Sequence, residues 1–480
     1  MKKIYALVFL CMGSLMLMAA PITQEEGRTV AATFLKAQYG NAPVSLQQAE
    51  TCQRFTRGVQ TDCFYIYNTD NGFVIVSADT RVRPILGYST EGVFNPQDVP
   101  FALRDLLDSY ADEIMAIVAN VPEPDEQLAA EWQSLMDGSY EPRRSGRSVD
   151  ALLDDETDIN NWQQNNGYNY YCPADANGPA GKCYVGCCAL SMGQVMHYWQ
   201  HPTQGVGSHS YECNHSESLN GLYGDYGTLS ANFGNTTYNY ALMPNNLNSS
   251  TPSNQILAIA KLLYHCGVAI DMWYGNQGSM GFHTDIANAL ETYFKYDECL
   301  TVWKSNYSGN WEDLLKGDLD LGRPIIYCAY ADVGGHEFVC DGYNDNNYFH
   351  FNMGWGGYYN GYYAIDNLNA QYNFNSSHGA VAHIRPIQDD HEGIAENSIA
   401  VTLYPNPATD VVTVQAGSPI REITVCDLTG RTVVVVETGH APSLQHNLNV
   451  SSLPAGIYLL KVVTDSGVQT GRFVKGERWK

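Results

Sequence analysis

The sequence predicts an α+β protein of three folded units in series, and three observations carry that reading. Residues 21–140 open with a helix-like run, Glu25–Tyr39, and continue with strand-like runs at Cys63–Tyr67 and Gly72–Ser77. Residues 162–387 hold most of the Gly and Tyr and pass from a helical segment beginning at Gly186 to strand-like segments around His336 and Asn352. From Val401 to Lys475, β-branched residues alternate with polar ones between turn signals at Asn406-Pro407, Thr429-Gly430, Pro454-Ala455-Gly456 and Ser466-Gly467, the texture of a small all-β sandwich.

Bulk properties agree. A chain of 480 residues exceeds one ordinary core, and 44% hydrophobic with 16% charged residues is a globular composition. Acidic residues outnumber basic ones 51 to 26, a net charge of -25, which disfavours nucleic acid and anionic membrane as partners. Met1–Lys3, the apolar run Ile4–Met18 and Ala19-Ala20-Pro21 have the three zones of a secretory signal peptide, so residues 1–20 are expected to be removed on export. Beyond them no stretch approaches the ~20 apolar residues of a membrane span. Of the 13 Cys, Cys11 leaves with the signal; Cys172 and Cys183 are plausible disulfide partners, though spacing alone fixes no connectivity.

Two connectors separate the units. Glu141-Pro142-Arg143-Arg144-Ser145-Gly146-Arg147 concentrates three arginines among small residues, and the linker 141–161 is where a protease could cut without unfolding a core. A charged stretch, Gln388-Asp389-Asp390-His391-Glu392, opens the second linker, 388–400.

The chemistry sits in the middle unit. The helix from Gly186 to Trp199 can bury Leu190, Met192, Val195, Met196 and Trp199, which places Cys187 at its N-terminus, where unpaired N–H groups and the helix dipole favour a thiolate. A thiol nucleophile needs an imidazole to move its proton and a group to orient that imidazole. His336 enters a strand after Gly334-Gly335, and Asn352 follows in a strand that runs into Gly354-Trp355-Gly356-Gly357. The order Cys, His, Asn and the separation of Cys187 from His336 both fit papain-type sites.

Here the chain resembles the streptopain family of bacterial cysteine peptidases, through Trp162, Gln164, Tyr168-Asn169, Gly186-Cys187, Gly335-His336 and Asn352 with Gly354-Trp355-Gly356-Gly357. The resemblance implies a papain-like catalytic domain at 162–387, with a helical and a β-sheet subdomain. It also implies an inhibitory prodomain at 21–140, notably through Gly72-Phe73-Val74-Ile75-Val76-Ser77-Ala78-Asp79, and an oxyanion-hole donor at Gln164. Gly335, Met353 and Trp355 are expected in the substrate cleft. Met353 stands where the family has a Trp shielding the catalytic pair, and Cys188 where it has a Val. Tyr404-Pro405-Asn406-Pro407, Asp427-Leu428-Thr429-Gly430-Arg431, Leu453-Pro454-Ala455-Gly456-Ile457-Tyr458 and Phe473-Val474-Lys475 resemble the type IX secretion sorting domain, assigned to 401–480.

The expected activity is therefore that of a secreted cysteine endopeptidase made as a zymogen, exported through the periplasm of a Gram-negative bacterium to the medium or cell surface. Its expected partners are protein and peptide substrates, its own prodomain and the secretion machinery. No cofactor or metal is called for: His197 and His201 are spaced i, i+4, but the residues between them lack the Glu of a metalloprotease helix. His350, alternating with Phe349 and Phe351, reads as structural. Two other functions stand beside this one. A transglutaminase-type acyl transferase would use Asp where Asn352 stands, and a non-catalytic adhesin on the same scaffold would not be labelled by a thiol-directed inhibitor.

Overall fold

A computed structural model describes residues 19–40, 45–56, 58–142, 148–154, 161–218, 221–331, 334–365, 368–369, 377–387, 402–426, 431–437, 443–464 and 467–476. The signal peptide assigned to 1–20, the arginines of the first linker and the second linker fall wholly or almost wholly outside these residues.

A capping box starts the first element. The Thr23 hydroxyl accepts from the Glu26 N–H and the Glu26 carboxylate accepts from the Thr23 N–H, opening α1 (Gln24–Tyr39). Val30, Ala31, Phe34 and Leu35 bury one face of this helix. Strands β1 (Gln47–Thr56), β2 (Val59–Asn68), β3 (Phe73–Ser77) and β4 (Ile85–Ser89) follow as an antiparallel meander, with β3 and β4 buried throughout. Helices α2 (Phe101–Asn120) and α3 (Glu126–Asp137) complete this region, the latter capped by the Asp125 carboxylate on the Leu128 N–H.

Next come α4 (Cys187–Trp199), a hairpin of β5 (His209–Asn214) and β6 (Asp225–Ala231), and helices α5 (Ser253–Ala269) and α6 (His283–Phe294). Strand β7 (Leu300–Trp303) and helix α7 (Trp311–Leu319) lead into β8 (Ile325–Ala331), β9 (Gly334–Tyr343), β10 (Phe349–Asn352), β11 (Gly361–Tyr363) and β12 (Ser377–Ala382). Among the described residues no helix is long and apolar enough to cross a membrane.

The N-terminal meander does not stand apart. One ten-stranded sheet runs β1-β2-β3-β4-β11-β10-β9-β8-β12-β7, so four strands of the N-terminal region extend the edge of the sheet that carries His336. At the join Tyr362 lies opposite Tyr88, their rings stack at 5.4 Å, and the Ala364 N–H donates to Leu86 O at 2.8 Å. Side chains from both regions share one core: Phe34, Tyr67, Val74, Leu106 and Ile114 pack in the same cluster as Tyr327, Phe338, Phe351 and Tyr363. A second core, around Trp162, Leu190, Val195, Leu263 and Phe294, belongs to the helical half. The expected helical and β-sheet halves are thus both present.

The chain divides after Ile387 into two compact units. The second contains β13 (Thr402–Tyr404), β14 (Val411–Cys426), β15 (Thr432–Glu437), β16 (Ser443–Asn449), β17 (Gly456–Thr464) and β18 (Gly467–Lys475). The first half of β14 pairs with β13 and most of β16, and its second half with β15 and β17, around a core of Val412, Val414, Ile423, Val425, Leu460, Val462 and Phe473. β14 thus changes partners midway along its length.

Candidate active site

Cys187 is the first residue of α4, and the Gly before it makes that placement possible. Gly186 has φ 89°, and a Cβ there would stand 2.6 Å from the Met272 methyl carbon. Every residue from Cys187 to His197 is buried, as befits a helix surrounded on all sides by core. The Cys187 thiol is held well below the ordinary thiol value, first by a hydrogen bond from Cys188, then by the charge and hydrogen bond of His336 and by the Glu337 backbone N–H, against the opposing effect of burial. Cys188 is pushed the other way, well above that value, by the same bond and by its own burial.

His336 lies on β9 opposite Ala329 of β8. Burial pulls its imidazole down, but the charge and hydrogen bond of Cys187 outweigh that and leave it raised. A depressed thiol beside a raised imidazole is the charge distribution of a thiolate–imidazolium pair.

The other expected residues are placed by their own contacts. Gln164 is anchored by its carbonyl, which accepts from the Val185 N–H at 3.1 Å, two residues before Cys187. The Gly-rich turn is tied to the same segment by Gly356 N–H to Trp162 O, 3.0 Å. Asn352, fully buried at the end of β10, accepts at Oδ1 from Gln194 Nε2 and from the Gly354 N–H, both at 3.0 Å. His336 Nε2 is buried with no hydrogen-bond partner, so the orienting bond expected from Asn352 is not made to that nitrogen. Gly335 precedes His336 in β9. Met353 is 1% exposed and packs in the sheet-side core, whereas Trp355 brings its ring to 6.5 Å from the imidazole at an interplanar angle of 31°. Of the residues expected in the cleft, it is Trp355 whose ring stands beside His336.

A residue from the N-terminal region bears on the pair electrostatically. Asp105 on α2, 6% exposed, interacts electrostatically with both His336 and Cys187, and its carboxyl is pushed up to about 6, chiefly by burial. Helix α2 is held over the sheet by Tyr110, whose hydroxyl donates to Ala364 O at 2.5 Å, and by Glu113, which accepts from the Leu368 N–H at 3.0 Å.

His350 pairs with Asp341 (Nδ1 to Oδ1, 2.6 Å), a structural role. His197 Nε2 contacts Met243 O and His201 Nε2 contacts Lys295 O, so the two rings serve different carbonyls. Cys172 and Cys183 are buried free thiols here, and the loop between them is closed by the Cys183 N–H on Pro173 O. Sequence reasoning missed Gln194, although its spacing of seven from Cys187 places it on the same helix face, a signal that was available. Nothing in the sequence pointed to Asp105.

Residues 162–363 match the Peptidase C10 family, residues 19–114 the Spi protease inhibitor family, and residues 402–476 the secretion system C-terminal sorting domain. A solved fragment of prointerpain A from Prevotella intermedia is 30% identical, covers 71% of this chain and 98% of its own, and superposes with a TM-score of 0.55. Streptopain from Streptococcus pyogenes is 28% identical over 340 residues, 67% of this chain and 80% of its own. The thiol protease/hemagglutinin PrtT of Porphyromonas gingivalis is 27% identical over 425 residues, 84% of this chain; the match spans 46%, about half, of that relative's length.

Proposed function

Because the chain belongs to the peptidase C10 family, we propose that it is a cysteine endopeptidase made as a zymogen, with Cys187 as nucleophile and His336 as its acid–base partner. The observation that carries this reading is the paired displacement of the two groups: a thiol drawn down at a helix N-terminus against an imidazole drawn up.

In the reaction, the Cys187 thiolate attacks the scissile carbonyl carbon and pushes its electron pair onto oxygen. The Cys187 N–H and the Gln164 side chain receive that oxyanion, and one such donor is typically worth ~2.7–4 kcal/mol of transition-state stabilisation. His336 passes its proton to the leaving amine, then takes one from the water that opens the thioester. Asn352 orients the ring once its carboxamide reaches the imidazole.

Residues 21–140 act as the inhibitory prodomain. The seating of α2 beside the catalytic pair and the unpartnered His336 Nε2 support a latent state. Activation cuts the linker 141–161 and leaves 162–387 as the enzyme, while residues 401–480 carry the chain out of the periplasm of a Gram-negative cell to its surface or the medium.

The test is full-length protein with single changes. Cys187→Ala and His336→Ala should each abolish hydrolysis of a denatured protein substrate, while Cys188→Ala retains most of it. Cys187→Ala protein should remain uncut on its own and be cut in the linker by added wild-type enzyme. Self-processing by the Cys187→Ala protein, or loss of activity in Cys188→Ala alone, would move the nucleophile elsewhere.

A further inference from the structure

Behind the catalytic strand lies a second cluster of reactive side chains that peptide hydrolysis does not use. His283 is the first residue of α6, and its Nδ1 lies 3.0 Å from Glu337 Oε2 on β9. Cys328 on β8 stands directly opposite Glu337 in the strand register. A ligating atom from each of the three lies within 4.8 Å of the other two, and this is the only such His/Cys/Asp/Glu group among the described residues. All three are shut away from solvent: His283 is 1% exposed, Glu337 2% and Cys328 0%.

The hydrogen bonding of the cluster is incomplete. His283 Nε2 and Glu337 Oε1 are both buried without a partner. Buried polar atoms are nearly always satisfied, so a cluster that leaves a carboxylate oxygen and an imidazole nitrogen unpaired is short of a partner.

We propose that His283, Cys328 and Glu337 form a binding site for one zinc-like divalent cation. An imidazole nitrogen, a thiol sulfur and a carboxylate oxygen are the donor types such an ion takes, whereas magnesium and calcium prefer sites built from oxygen alone. Charge favours the same ion: a dication with one thiolate, one carboxylate and one neutral imidazole sums to zero, the condition a buried site needs. Without an ion, burial pushes the Cys328 thiol well above its usual value and the Glu337 carboxyl up. Binding therefore displaces the Cys328 proton to solvent, together with any proton on Glu337, and no oxidant or reductant is involved. Cys188, which interacts electrostatically with both Glu337 and Cys328, brings a further sulfur to the edge of the cluster.

The site borders the catalytic centre through Glu337, whose backbone N–H donates to the Cys187 sulfur. An ion gripping the Glu337 side chain fixes that donor, which makes Glu337 a positioning residue for the nucleophile.

The experiment uses the full-length zymogen carrying Cys187→Ala, so that the catalytic thiol does not compete. The protein is stripped with a chelator and titrated with Zn2+ against a chromophoric competitor, then with Co2+ as a spectroscopic probe. Expected are one equivalent of tightly bound Zn2+ and a thiolate-to-Co2+ charge-transfer band. Cys328→Ser should abolish the band, and His283→Ala and Glu337→Gln should each weaken Zn2+ binding at least ~10-fold. Near-ultraviolet circular dichroism of the stripped variants checks that they are folded. Absence of stoichiometric binding, or a band that survives in Cys328→Ser, would overturn the proposal. Should Cys328→Ser not fold, unchanged Zn2+ affinity in folded His283→Ala overturns it equally.

Discussion

Asp105 should make the zymogen's stability fall as pH rises from about 4 to above 6. Its carboxyl, ordinarily near 3.8, is pushed up to about 6 in the folded chain. Burial is the main cause, helped by the Asp108 and Cys187 charges and opposed by His336 and Arg104. Because the net shift is upward, burial outweighs the attraction to the imidazolium. The folded state therefore holds this proton more tightly than the unfolded chain does. The stability it contributes is fully present below about pH 4 and is lost as pH rises through about 6. At about 1.4 kcal/mol per pH unit the full shift would be worth ~3 kcal/mol, and partial solvent screening brings this to about 1–2 kcal/mol. The comparison is between Cys187→Ala zymogens with and without Asp105→Asn, unfolded by urea at a series of pH values. The Asn variant should be more stable by about 1–2 kcal/mol at pH 7.5, and the gap should close near pH 4. In protein with Cys187 intact, Asp105→Asn should lengthen the lag before self-processing at pH 7.5. Equal stability at pH 7.5 would refute the reasoning, and a less stable Asn variant would further show that Asp105 is a net favourable ion-pair partner of His336.

Other expectations follow from the same geometry. Activity of the processed enzyme should be bell-shaped in pH, lost below the depressed value of Cys187 and above the raised value of His336. Trp355→Ala should draw in the alkaline limb: at 6.5 Å the ring is just outside the usual cation–π range, so the direct loss is about 0.5 kcal/mol, with water entry adding to it. A Trp355→Ala profile that superposes on the parent would show that the ring does not shelter the imidazolium. Gln194→Leu leaves one acceptor direction of the buried Asn352 without its donor, which should cost about 1–3 kcal/mol of stability. It should also lower kcat more than KM, since the role proposed for Asn352 is to orient His336 without binding substrate; a change in KM alone would place Gln194 with the cleft instead.

The sequence made local structure legible where period and caps agree. The run Glu25–Tyr39 is helix α1 almost residue for residue, and the turn signals after Val401 bracket real strands. The placement of Cys187 at a helix N-terminus and the Gly-rich turn after Asn352 were legible because both are local properties of the chain. What escaped was pairing across long separations. No pattern in Tyr88 or Tyr362 announces that their strands are neighbours, because a strand's alternation says which face is buried and not which edge it joins. For the same reason Asp105 reads as an ordinary helix-surface acid, and only the docking of α2 on β8 and β9 brings it to His336. Of the two side chains expected in the cleft, Trp355 brings its ring beside the imidazole while Met353 packs in the sheet-side core, on either side of Gly354 with φ 70°.

The continuous sheet bears on timing. A cut in the linker breaks one peptide bond and leaves untouched the ladder from β4 to β11 and the core shared on either side of it. The nicked protein would still be held shut, and the inhibitor could leave only after a local opening that unzips Leu86–Tyr88 from Tyr362–Ala364. Cutting and switching on are then separate events, with a waiting time between them set by how often that seam opens. On the proposed reading of residues 21–140 as the inhibitor, the seam works as a fuse that delays activity after the cut.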